Sequence, residues 1–191
     1  AQVQRGPREM PSRSADNLFW LGRTIEDTDW MFRVLRNSLG RIEEDSGPRQ
    51  DLTLARRVLV NLLGRDGDVP LDNGASVGET GAIADLANIL MTSTDRAHGL
   101  RSSIDTIRRL ASLSLDRLSH EAWRTLNAFS AGRRWQSRVF PTSIGEQLDM
   151  IDAGLAIISA FNGLTHENMT RNHGWSFLDM GRRMSRAFNL A

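Results

Sequence analysis

Residues 17–30 read NLFWLGRTIEDTDW. On a period of 3.6 residues, Leu18, Leu21 and Ile25 share one face, and the series runs on through Thr28, Phe32, Leu35, Leu39 and Ile42. Only Thr28 interrupts the apolar seam. Such sustained spacing by threes and fours predicts a long helix packed in a bundle, with Ser12 or Ser14 as its N-cap and Gly47 and Pro48 as its stop. Gly22 stands inside this pattern, where glycine costs about 1 kcal/mol relative to alanine. It is therefore expected to serve close packing or a site. Residues 177–190, FLDMGRRMSRAFNL, repeat the arrangement, with Gly181 and Arg182 in the places of Gly22 and Arg23.

The stretches between these ends also read as helices. Leu52, Ala55, Leu59 and Leu62 share a face, Glu79 to Met91 forms a third element, and Ser93 or Thr94 caps a fourth. In that fourth helix Ala97, Leu100, Ile104, Ile107, Ala111, Leu115 and Leu118 alternate by threes and fours. Ser119 restarts the chain into Ala122, Trp123, Leu126 and Phe129. SIGE at 143–146 is a capping box opening a helix along Ile144, Leu148, Ile151, Leu155 and Ile158, and a last helix runs from about Trp175. GRDGDVPLDNGASVGE, over residues 64–79, is a long loop without periodicity. No segment alternates with a period of two. The class is all-α, a helical bundle of about six or seven helices with no β-sheet.

With 191 residues and 40% hydrophobic composition, the chain can bury one substantial core. There is no Cys, which excludes disulfides, thiolate metal sites and cysteine nucleophiles and fits a reducing compartment. There is no Lys either, so all 24 basic residues are Arg, set against 23 acids. The isoelectric point near 9.1 thus reflects one surplus charge with little to titrate beside it, and argues against a nucleic-acid footprint. No stretch reads as long and apolar enough for a membrane helix, the best being Met150 to Phe161. Residues 1–13 read as a linker and residues 14–191 as one helical domain, soluble and cytoplasmic.

On the first helix, Asp16, Trp20, Arg23, Asp27 and Trp30 form a stripe beside the seam, and Arg23 reaches Glu26 and Asp27. On the last, Asp179 reaches Arg182 and Arg183, and Arg182 lies one turn from Arg186. Isolated surface pairs of this kind contribute only a few tenths of a kcal/mol. Two matched copies suggest a shared place, with the terminal helices side by side in an antiparallel bundle.

SRSADNLFWLGRTIED, LDRLSHEAWRTLN and HENMTRNHGWSFLDMGRRMSRA together resemble the bacterial alpha-E domain, an all-helical family named for its Glu-Arg motifs. The likeness runs from about Ser12 to Ala191, with three blocks in order. Members usually continue with further helices, so the chain resembles the first part of a longer domain. The family pattern is approximately Gly-Arg-x-x-Glu-Arg at both ends. Carried over, the first copy keeps Gly22, Arg23 and Glu26, with Asp27 where the second Arg belongs. The second keeps Gly181, Arg182 and Arg186, with Ser185 in place of the Glu. Each copy lacks a different half, and Glu26 is expected to meet Arg182 or Arg186 between helices.

The resemblance implies association with circularly permuted ATP-grasp ligase-like proteins, and hence a role beside amide-bond formation. No Gly-rich phosphate loop or strand pattern makes the chain itself a nucleotide site. The leading expectation is a non-catalytic accessory domain. It docks an ATP-grasp ligase-like partner, or holds a peptide or amino-acid substrate by a carboxylate or phosphate, through Arg23, Glu26, Arg182, Arg183 and Arg186. One alternative is an enzyme with Glu26 as general base beside Arg182 and Arg186; another is a purely structural or homo-oligomerising module.

No cofactor or metal is implied. His166, Glu167 and His173 do not make an HExxH pattern and read as helix-end residues. Trp20, Trp30, Trp123 and Trp175 read as core anchors, and GRRWQSR at 132–138 as a solvated inter-helix loop.

Overall fold

The first helix, α1 (Ser12–Glu43), brings the whole expected seam inside: Leu18, Leu21, Ile25, Thr28, Phe32, Leu35, Leu39 and Ile42 are all buried in this computed structural model. Thr28 is accommodated there because its hydroxyl donates to the Thr24 carbonyl at 2.6 Å, one turn back. The structure describes residues 10–43, 49–64, 79–94, 99–131, 135 and 143–190. The expected stop at Gly47 and Pro48, residues 65–78 of the expected 64–79 loop, Ala97 and residues 1–9 of the expected linker lie outside them.

Among the described residues there are seven helices and no strand. After α1 come α2 (Arg49–Gly64), α3 (Glu79–Thr92), α4 (Leu100–Leu113), α5 (His120–Ala131), α6 (Ile144–Asn168) and α7 (His173–Leu190). α1 is the axis of the assembly: it packs most extensively on α7, and also on α4 and α6. α2 pairs with α3, and α5 bridges α4 and α6.

The helix ends follow local chemistry, with three changes from expectation. The first N–H groups of α1, from Ser14 and Ala15, bond the Pro11 carbonyl, so Ser12 is already helical and neither serine is the N-cap. α4 starts after an extended Gly99, later than a cap at Ser93 or Thr94. It ends at Leu113, where the Ser114 N–H returns to the Ala111 carbonyl, and this leaves Leu115 exposed while Leu118 is buried. Ser119 caps α5 through its hydroxyl, which accepts from the Ala122 N–H at 3.1 Å. At α6 the Ser143 hydroxyl accepts from the Glu146 N–H and donates to the Glu146 carboxylate.

α6 corrects the reading that no stretch is long and apolar enough to cross a membrane: by length and composition this helix is. Its Met150, Ile151, Leu155, Ile158 and Phe161 instead lie in the core, and Asp152 pairs with Arg36 of α1 at 2.8 Å.

The tryptophans are also redistributed. Trp20 is 45% exposed and is no core anchor, whereas Trp30, Trp123 and Trp175 are half-buried. The buried indole is Trp135, inside the run expected to be a solvated loop. It meets Phe32 and Phe129 edge-on, with ring centroids at 5.5 and 5.7 Å. Two phenyl rings give an indole more contact than water can, and this overrides the basic residues on either side in sequence.

Candidate functional site

Helices α1 and α7 run side by side, and they point in the same direction. Leu18 meets Gly174, Gly22 meets Leu178, and Asp27 meets Asn189, so both helices advance together. Gly22 and Gly181 make the approach possible. A Cβ on Gly22 would strike the Leu178 carbonyl oxygen, and one on Gly181 would strike the Phe19 carbonyl oxygen. These are backbone atoms and cannot step aside, so the glycines stand here for packing.

The two contacts are images of one another. Gly22 corresponds to Gly181 and Phe19 to Leu178 by a constant offset along the chain, so the pair has a local pseudo-twofold axis lying between and along the helices. One turn further on, the same relation governs the charges. Glu26 is buried, and Arg186 grips it bidentately: Nε donates to Oε1 at 2.8 Å and Nη2 to Oε2 at 3.0 Å. Arg182 adds attraction without a hydrogen bond, its buried Nε lying 3.7 Å from Oε2. The symmetry mate of the Glu26–Arg186 pair is Asp27 with Ser185, and these two are also joined, the Ser185 hydroxyl donating to Asp27 Oδ1. Asn189 donates to the same oxygen at 3.3 Å.

Alternating charges extend the seam. Arg183 holds Asp179 at 2.6 Å, and Arg33 holds Asp29 at 2.7 Å. Bonding to Glu26, with the further attraction of Asp29 and Asp179, pushes the Arg186 guanidinium above its usual value despite partial burial. Arg33 is likewise raised, first by its hydrogen bond to Asp29.

Arg23 is differently placed. Its guanidinium lies 5.3 Å from the Trp20 ring centroid and 5.7 Å from that of Phe188, with only a 3.9 Å ionic contact to Asp27. It lines a cleft of about 470 Å³ with Trp20, Asp27, Trp30 and Phe188, faced by Ser103 and Thr106 of α4. Glu26, Arg182, Arg183 and Arg186 are not among the lining residues. The expected arginine cluster is thus divided: one arginine faces the cleft, two clasp Glu26, and Arg183 engages Asp179. Asp16 lines a separate apolar groove of about 710 Å³ with Met10, Phe19, Phe177, Met180 and Met184.

His166 and Glu167, both exposed, lie 3.3 Å apart at the end of α6. Among the described residues, no three His, Cys, Asp or Glu side chains gather as a metal would require. The sequence reading missed Phe188, Asn189, Ser103 and Thr106. Phe188 had a legible signal, because it falls on the same face as Met180 and Met184 and would be an unusual apolar residue for an exposed surface.

The chain is 25% identical over 186 residues to an uncharacterised protein of Mycobacterium tuberculosis (strain H37Rv) and equally so to one of Mycobacterium bovis. Each match covers 91% of this chain and 21% of the relative, so the chain spans about a fifth of the length of these proteins. No solved structure matches it. The family model described as a predicted alpha-helical domain with a conserved ER motif matches residues 10–191, and the chain belongs to that family, Alpha-E.

Proposed function

We propose that this domain is a non-catalytic accessory module of an ATP-grasp-associated amide-ligation system in the cytoplasm, holding a carboxylate- or phosphate-bearing substrate at the Arg23 cleft. The observation that carries the reading is the division of the charged cluster. Both Glu26 oxygens accept hydrogen bonds from Arg186, and Arg182 lies beside them. Both oxygens that a general base would turn toward a substrate are thus already engaged within the protein. Arg23, by contrast, makes no hydrogen bond among the described residues and faces a cleft.

A second reading concerns the partner. Met180 and Met184 are 43% and 40% exposed beside the groove lined by Met10, Phe19 and Phe177, and methionine-rich apolar surface suits a helix of the ligase-like protein.

The test is reconstitution with a ligase-like protein encoded beside or fused to the domain. Amide formation should require the ligase, rise when the domain is added, and persist with Glu26→Gln wherever that variant remains folded. Amide formation by the isolated domain, abolished by Glu26→Gln, would overturn the reading.

A further inference from the structure

We infer that the cleft between α1, α2, α4 and α7 binds a free α-carboxylate of an amino acid or short peptide bearing an apolar side chain. This rests on reading the Arg23 cleft as a binding site and specifies its ligand.

The guanidinium of Arg23 makes no hydrogen bond among the described residues. Trp20 and Phe188 flank it at 5.3 and 5.7 Å, while its protein anion, Asp27, stays at 3.9 Å. Arginine has five N–H donors in a planar fork, and a carboxylate accepts two of them in parallel. A ring-braced guanidinium without hydrogen bonds is a preorganised receptor for that group.

Asp27 Oδ1 is occupied by Ser185 and Asn189, and the carboxylate lines the same cleft as Arg23. A dianionic phosphate would double the attraction to Arg23 and the repulsion from Asp27 alike, so charge does not separate it from a carboxylate; inorganic phosphate, however, has no apolar part for the rest of the lining. The rest of the lining sets the remainder of the ligand. Trp30, Met31 and Leu62 supply apolar wall, and Ser103 and Thr106 supply hydroxyls for a peptide amide. A volume of about 470 Å³ lies within the range of roughly 300–1,000 Å³ usual for small-ligand sites.

The experiment is NMR titration of the labelled protein, following Trp indole N–H and Arg Nε–H signals. The probes are N-acetyl-alanyl-leucine, its C-terminal amide, and inorganic phosphate. The free acid should shift the Trp20, Trp30 and Arg23 signals saturably, and the amide should bind at least roughly ten-fold more weakly, because it loses the charge-assisted fork. Arg23→Gln should abolish the response, and Arg23→Lys, which keeps charge without the fork, should weaken it; both variants are first shown to melt as the parent does. Equal binding of acid and amide, or an unchanged response in Arg23→Gln, would overturn the inference. Phosphate binding as well as the acid would overturn the ligand class while leaving an anion site at Arg23. No response to any probe would remove the site reading as well.

Discussion

Ser185 donates a hydrogen bond to Asp27 at the position that the local symmetry of α1 and α7 makes equivalent to the Glu26–Arg186 ion pair. In sequence, Asp27 and Ser185 look like two separate losses from a repeated Gly-Arg-x-x-Glu-Arg pattern. In space they form one substitution, a neutral-to-anion hydrogen bond replacing an ion pair. One intact clasp and one modified clasp therefore close the same interface.

That equivalence makes a reciprocal exchange testable. Ser185→Glu alone sets a second carboxylate against Asp27, and Asp27→Arg alone adds a cation near Arg23 while leaving Ser185 without its acceptor. Each single change should lower stability. The double variant should recover at least roughly 1 kcal/mol relative to the sum of the singles, in the range of coupling for contacting residues. Denaturant melts of the four proteins check it; strict additivity would show that the two sites are not joined.

The glycines should behave oppositely according to place. Gly22→Ala and Gly181→Ala drive a methyl group into a backbone carbonyl, and should cost roughly 3 kcal/mol, at the upper part of the overpacking range. Gly40 has no atom within 4 Å of an added Cβ, so Gly40→Ala should gain up to about 1 kcal/mol from helix propensity. Thermal denaturation of the three variants distinguishes close packing from a mere tolerance of glycine.

Trp135 offers a test of the core. With 7% exposure and two phenyl neighbours, its replacement by Ala should cost about 3–5 kcal/mol, as for other buried aromatics. A solvated loop residue would cost nothing. Urea unfolding, followed by far-UV circular dichroism, measures the difference.

Much of this molecule was legible because helical periodicity is local. The seam from Leu18 to Ile42 could be read residue by residue, and all of it is buried. The matched glycine-arginine pairs pointed to α1 and α7 as neighbours, since a glycine inside a helix needs a reason. Direction was not legible: equivalent residues lie level in the parallel pair, but spacing along one chain carries no sign of the axis on which the next helix returns. Trp20 and Trp135 exchanged roles for a similar reason. Trp135 is buried by Phe32 and Phe129, partners distant in sequence, while Trp20 stays 45% exposed beside Arg23, and neither outcome is visible from local hydrophobicity. The division of the arginines between seam and cleft likewise depends on which side of α1 each α7 residue meets.

The most direct test of the central claim is a double-mutant cycle between Glu26 and Arg186. Glu26→Gln should lose about 2 kcal/mol, the scale of a buried hydrogen bond to a charged partner, or about 4–8 °C in melting temperature for a domain of this length. Combined with Arg186→Gln, it should reveal a coupling of at least roughly 1 kcal/mol. A melt unchanged by Glu26→Gln, together with zero coupling, would contradict the clasp between the two helices.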